Sequence, residues 1–416
     1  MAPPQSRIAG MTLRALPALL LTVAVGAPLV AQDPPSPPAD GEPATAAGGT
    51  SGESETAAPP PASQGFLPSL EVYFPEGDLD LRTSRLVNKV FFEGQVKYNF
   101  IKGDITAFLR YRYYGYRRTY QLSGFDAVEF SGVERASSGE FDRTRGLLAI
   151  MQIPHDYQHR TFVLAELDRL TSNKESQRFT TNRTNTFFRL GYQIGTPEDE
   201  RSNAIVGETR ARVDRLFTAY RDIGPGDFGL TAALTYSSDL LGDFDYGKAE
   251  FEGLQRFELG GDFFVVGRLH GGTFLRKRLV REGPEIDEAD RYSIPRSELF
   301  RLDGRNNLKG LSERLHGTEE LHTTWEVFFP WFLDRDARFL GLNWQSWYWI
   351  LYSGYGTIGF DRHVYGDFAT YYPDAGIGFE SSFRLKKYRF FLTGAVAQAF
   401  RGEGGPEVRI AIKSYR

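Results

Sequence analysis

From residue 90 onward the chain repeats one device, an alternation of apolar and polar side chains with a period of two. Between Val90 and Phe100 one phase carries Val90, Phe92, Gly94, Val96, Tyr98 and Phe100, and the other carries Phe91, Glu93, Gln95, Lys97 and Asn99. The next stretch sets Ile105, Ala107, Leu109, Tyr111 and Tyr113 against Thr106, Phe108, Arg110, Arg112 and Tyr114. Near the C-terminus Val408, Ile410 and Ile412 oppose Arg409, Ala411 and Lys413. Successive side chains of a strand point to opposite faces, so this pattern specifies strands with one greasy and one wet side. Comparable segments fall near Leu147–Ile153, Thr161–Leu170, Thr186–Ile194, Asn203–Tyr220, Phe228–Tyr236, Tyr246–Leu259, Asp262–Leu275, Thr318–Phe329, Phe339–Ile350, Ala375–Leu385 and Tyr388–Phe400. The fold class is therefore all-β.

Alternation alone fits either a soluble sandwich with its apolar face inward or a membrane barrel with that face turned to lipid. Three features favour the barrel. Arg7 and Arg14 precede the apolar run Ala15 to Val25, and small residues follow at Ala27 and Ala31, the layout of a secretory signal peptide cut near Ala31. No run reaches the roughly 18 apolar residues that a spanning helix requires. Aromatics make up 14% of residues and crowd strand ends, with Tyr111, Tyr113, Tyr114 and Tyr116 in one group and Trp344, Trp347, Tyr348 and Trp349 in another, as interfacial girdles would. The expectation is a transmembrane antiparallel β-barrel of about 12–16 strands, in the outer membrane of a Gram-negative-type bacterium.

Three parts follow. Residues 1–31 are read as the signal peptide. Residues 32–64, almost wholly Pro, Ala, Gly, Ser, Thr and Glu, cannot bury enough apolar surface to offset their ordering entropy and are read as a disordered linker. Residues 65–416 are the barrel.

A more specific pattern starts at Glu258. The stretch Glu258 to Thr273 is followed by a polar loop and by Leu299-Phe-Arg-Leu-Asp-Gly-Arg-Asn-Asn-Leu-Lys-Gly-Leu311, then by the strand His322-Thr-Thr-Trp-Glu-Val-Phe-Phe-Pro330. This order resembles the C-terminal half of the BamA/TamA-type bacterial surface-antigen barrels, which insert outer-membrane proteins or translocate polypeptides. The resemblance implies a long loop folded into the lumen, with Leu308-Lys309-Gly310-Leu311 standing where the family has a hydrophobic-Arg-Gly-aromatic tetrad. Lys309 takes the Arg place and Leu311 the aromatic place. Lysine keeps the charge and loses the planar fork. Glu326 matches a glutamate of the following strand and is the candidate wall partner. The next strand in the family carries an acid in an aromatic-x-Asp-x-Gly context, whereas here Gly354 stands at that position. Asp374, Gly376 and Gly378 resemble the family's penultimate-strand signature. Nothing resembles the family's periplasmic polypeptide-transport repeats.

There is no cysteine, which removes disulfides, thiolate metal sites and a Cys nucleophile. No Gly-x-Ser-x-Gly elbow and no phosphate loop occurs. The six histidines fall singly, and His155 and His159 lack the His-Glu-x-x-His pattern. The acidic groups at Glu198 to Glu200 and Glu285 to Asp290 lack calcium-loop spacing. No catalytic residue, metal or cofactor is assigned, and a net charge of −4 with both signs interspersed leaves no footprint for nucleic acid. The expected partners are outer-membrane lipids and either client polypeptides or a periplasmic partner, with the chain itself a monomer.

The leading functional expectation is outer-membrane protein insertion, or polypeptide or lipid translocation, through a loop-gated barrel. A seam between a first strand near Val90–Phe100 and a last strand near Val408–Ser414 would open toward lipid. The alternative is a passive pore or structural barrel, with Lys97, Arg110, Arg112 and Arg268 in the lumen setting ion preference.

Overall fold

In the computed structural model the described residues are 67–415, apart from 75–76, 101–102, 131–140, 157, 173–181, 196–227, 284–285, 287, 305–306, 313, 340–341, 386–387 and 403–404. The leader, the linker, the Asn203–Tyr220 segment, the 198–200 acidic group and part of the 285–290 group lie outside them.

The strands, in chain order, are β1 (Leu67–Phe74), β2 (Asp78–Val87), β3 (Val90–Asn99), β4 (Asp104–Tyr114), β5 (Thr119–Phe130), β6 (Phe141–Pro154), β7 (His159–Ser172), β8 (Arg183–Gly195) and β9 (Phe228–Ser237). They continue with β10 (Tyr246–Gly260), β11 (Phe263–Lys277), β12 (Phe300–Asp303), β13 (Arg314–Gly317), β14 (Glu319–Phe339), β15 (Leu342–Gly359), β16 (Tyr372–Leu385), β17 (Tyr388–Ala399) and β18 (Glu407–Tyr415). Among the described residues, sixteen of them close into one antiparallel barrel, each beside its neighbour in sequence, with β11 pairing β14 and β1 pairing β18. The short β12 and β13 pair only with each other, inside the β11–β14 connection. Closure leaves no edge with unpaired amides, which is the condition a sheet must meet in hydrocarbon.

Alternation sets which face goes where. On β4, Ile105, Leu109 and Tyr111 are exposed, with Leu109 at 69%, while Phe108 and Arg110 are buried. On β18, Val408, Ile410 and Ile412 are exposed and Arg409 is buried. The outer surface is therefore a belt of Leu, Val, Ile and aromatic side chains, and the charges turn inward, the reverse of a soluble protein. The lumen is more apolar than its polar phase suggests. Phe108, Leu148, Ile150, Leu164 and Phe187 face inward and form one cluster with Leu299, Phe300, Leu302, Leu308 and Leu311 of the β11–β14 connection. Of the aromatic groups expected at the interface, Tyr113, Tyr114, Tyr116 and Trp349 are exposed, but Tyr348 is buried inside against Phe264 and Phe328.

Turn chemistry separates the two ends. At one end several connections are tight, although β8 also ends there at Gly195 and β9 starts only at Phe228. Asn88 adopts φ 54° between β2 and β3, and Gly261 and Asp262, both with positive φ, join β10 to β11, as two-residue hairpins require. The 115–118 connection shares that end, and so do the ends of β14 and β16, the start of β1 and the end of β18. The long connections 278–318 and 360–371 lie at the other end. In transmembrane barrels the short turns are periplasmic.

Two expectations are corrected. The first strand is β1, not the Val90–Phe100 segment, which is the third strand. The apolar phase of β1 is short, with Leu70, Val72 and Phe74 alternating against Glu71 and Tyr73. Asp374, Gly376 and Gly378 lie on β16, the antepenultimate strand, because β17 stands between it and the last.

Candidate functional site

The connection between β11 and β14 folds back into the barrel. Its hairpin is in register from Phe300 opposite Gly317 to Asp303 opposite Arg314, and the tetrapeptide Leu308 to Leu311 sits in the turn region of that hairpin. Leu308 is wholly buried and Leu311 nearly so. The turn holds its own shape, since the amides of Asn307 and Leu308 both donate to the Asp303 carbonyl and the Leu311 amide donates to the Leu308 carbonyl.

Four consecutive barrel strands hold the turn. Lys309 Nζ lies 3.2 Å from Glu326 Oε1 on β14 and 4.0 Å from the centre of the Tyr352 ring on β15. The Lys309 amide donates to Tyr352 Oη at 3.2 Å, and that hydroxyl donates to the Asn307 carbonyl at 2.9 Å. The Gly310 amide donates to Asp374 Oδ2 on β16 at 2.9 Å. The Ala399 amide of β17 donates to the Gly310 carbonyl at 3.1 Å. Burial pulls the Lys309 ammonium below the ordinary lysine range, and the adjacent Glu326 carboxylate opposes that pull.

Glycine at two positions makes this approach possible. A Cβ on Gly310 would strike the backbone of Gln398 and Ala399 on β17, and one on Gly354 would strike Asp374 Oδ1, Tyr352 Oη and Leu308. Gly354 and Asp374 are register partners across β15 and β16. The acid that the resemblance placed on β15 is thus supplied from the next strand, pointing into the same space.

Further contacts fasten the connection elsewhere. Glu298 lies 3.6 Å from Arg189 on β8, which also faces Glu250 on β10. Asn307 Nδ2 donates to Glu320 Oε1 on β14 at 3.0 Å. Gly304 packs against the Arg409 guanidinium of β18. The sequence reading singled out Lys309 and Glu326, which the structure brings together. It did not single out Tyr352, Asn307 or Arg409. For Tyr352 and Arg409 the one signal was membership of the inward phase, which they share with many other residues, and Asn307 lies on no strand.

The four cations considered for ion preference all have partners. Lys97 is 3.1 Å from Asp78, Arg110 is 2.7 Å from Glu93, and Arg268 is 3.4 Å from Glu252, while Arg112 donates to Gln121 at 2.9 Å.

A closed sixteen-strand ring with a lipid-compatible exterior, a charged interior and an inserted loop defines an outer-membrane β-barrel. No family model matches the chain, and no curated protein matches it in sequence. Among solved structures it is similar to BamA from Haemophilus ducreyi lacking POTRA domains 1–3, with a TM-score of 0.58 and 9% identity over 85% of this chain and 70% of that one. It is also similar to CdiB from Acinetobacter baumannii, with a TM-score of 0.52 and 11% identity over 84% of this chain and 59% of that one. For CdiB from Escherichia coli the TM-score is 0.50 and the identity 11%, over 84% and 63% of the two chains. The chain spans less than two thirds of either CdiB protein. The barrel is similar to those of BamA and CdiB, and at these identities the likeness is one of fold.

Proposed function

We propose that this protein is a loop-gated barrel that inserts outer-membrane proteins or translocates polypeptide or lipid. The observation that carries the reading is the seating of Leu308 to Leu311 against β14, β15, β16 and β17 at once, with Gly304 of the same connection against Arg409 of β18. A plug anchored to the strands beside the β1–β18 seam is placed to sense or resist its opening. Among the described residues the seam is short. Its described register pairs run from Leu70 opposite Ser414 to Phe74 opposite Ile410, five in all, against nine between β17 and β18. The residue after Phe74 is Pro75, which has no amide hydrogen to add to a ladder.

In this reading the seam parts toward lipid and a client strand pairs with the exposed edge by β-augmentation. Lys309, held by Glu326, is the closed latch. Residues 1–31 serve as the export leader, residues 32–64 as the linker and residues 65–416 as the gate.

The test is a disulfide between Val72→Cys and Ile412→Cys, register partners across the seam in a chain with no other cysteine. The oxidised barrel is expected to keep its folded mobility on gels while losing client insertion or translocation in a reconstituted assay, with reduction restoring it. Full activity when oxidised would end the gate reading. Conductance separates it from the passive pore: a closed or flickering record is expected, and a steady open channel would favour the pore.

A further inference from the structure

Three residues beside the inserted turn meet on the lumen wall. His270 on β11 and His322 on β14 stand directly opposite one another in register. Glu320 lies two positions before His322, and therefore on the same face of β14. One ligand atom from each lies within 4.8 Å of the others. Glu320 Oε1 is 2.9 Å from His322 Nδ1, Glu320 Oε2 is 3.4 Å from His270 Nδ1, and the two imidazole rings are 5.1 Å apart between centroids. His270 and Glu320 are buried, yet His270 Nδ1 has no hydrogen bond of acceptable geometry, although it faces the cluster. Glu320 Oε2 is the polar atom that this ring nitrogen faces, at a distance longer than a good hydrogen bond.

We infer that His270, Glu320 and His322 form a binding site for a divalent first-row transition metal of the zinc class. Two imidazoles and one carboxylate are a donor set that such ions accept in tetrahedral geometry, with a fourth position left open. The hard cations calcium and magnesium prefer all-oxygen shells and fit it poorly. A support for the carboxylate is already built, because Asn307 Nδ2 donates to Glu320 Oε1 and also lies 3.4 Å from His322 Nδ1. Outer-shell partners of this kind orient a ligand and raise affinity. Asn307 belongs to the turn that carries Lys309, so an ion held here would join β11, β14 and the inserted connection at one point. The site does not depend on the barrel being a gate.

The experiment uses the untagged full chain, stripped of metal and reconstituted in detergent. Titration with Co²⁺ is expected to produce the visible absorption of tetrahedral nitrogen and oxygen coordination, saturating at one equivalent and bleached by Zn²⁺. His270→Gln, Glu320→Gln and His322→Gln should each weaken binding by at least about tenfold, and Asn307→Ala by about tenfold. The turn variants His155→Gln and His159→Gln should bind as wild type does. Loss of a folded barrel in a ligand variant is controlled by the wild type alone, whose thermal midpoint should rise with Zn²⁺. A wild type that shows neither the Co²⁺ spectrum nor the Zn²⁺ shift overturns the site, as does unchanged binding in the three ligand variants.

Discussion

Asp374 faces Gly354 directly across the β15–β16 pair, and its carboxylate fills the space that a side chain at position 354 would need. One acid between two strands is all the pocket holds, and it accepts the Gly310 amide at 2.9 Å. The bare position and the filled one are therefore a pair. Gly354→Asp alone should overpack the pocket and set two carboxylates together, costing about 1–3 kcal/mol. Gly354→Asp with Asp374→Gly should recover most of that loss, because the acid then enters from the other strand. Thermal conversion of the folded gel species in the two variants measures both effects.

Lys309 and Glu326 are both buried. Removing one leaves the other without its counter-ion, so Lys309→Ala should destabilise the seated loop by about 3–5 kcal/mol. Replacing both residues with Met and Leu should cost less than the single changes summed, with a coupling of about 0.5–3 kcal/mol. A double-mutant cycle on urea unfolding in lipid vesicles provides the number. Equal and additive losses would show that the pair contributes no coupling.

Gly310→Ala introduces a single methyl group that the β17 backbone cannot accept. Backbone cannot rotate away as a side chain can, so the turn is expected to leave its seat while the ring stays closed. Single-channel recording should then show larger and longer openings than wild type, with an unchanged folded band on gels.

Leu109 stands midway along β4 on the outer face. Leu109→Arg places a charge at the middle of the hydrocarbon and should cost about 2–4 kcal/mol of stability in vesicles. Phe108→Leu, one residue away but facing inward, exchanges one apolar side chain for another and should cost less than about 1.5 kcal/mol. The ratio of the two reports which phase meets lipid.

Much of the ring was legible because lipid and lumen impose opposite solvation on neighbouring residues. β3, β4 and β18 are written that way over their whole length. β2 and β5 were not legible for the converse reason. In β2 the polar residues fall in both phases, with Arg85 in the phase of Leu79 and Leu81. In β5 Phe125 turns inward against the core cluster while Gly124 takes an outward place. The pairing of Lys309 with Glu326 followed from motif order. The entry of Asp374 into the same pocket did not, because it depends on the register between β15 and β16, and one residue of slip would turn that acid to lipid.

The ring is joined by strands that begin and end the described chain, Leu70 meeting Ser414. Every residue between these two must be delivered before that contact forms, so the slowest step of biogenesis should be the final weld and not the growth of hairpins. Until then the nascent sheet carries two raw margins, and a chaperone or a host template has to shield both.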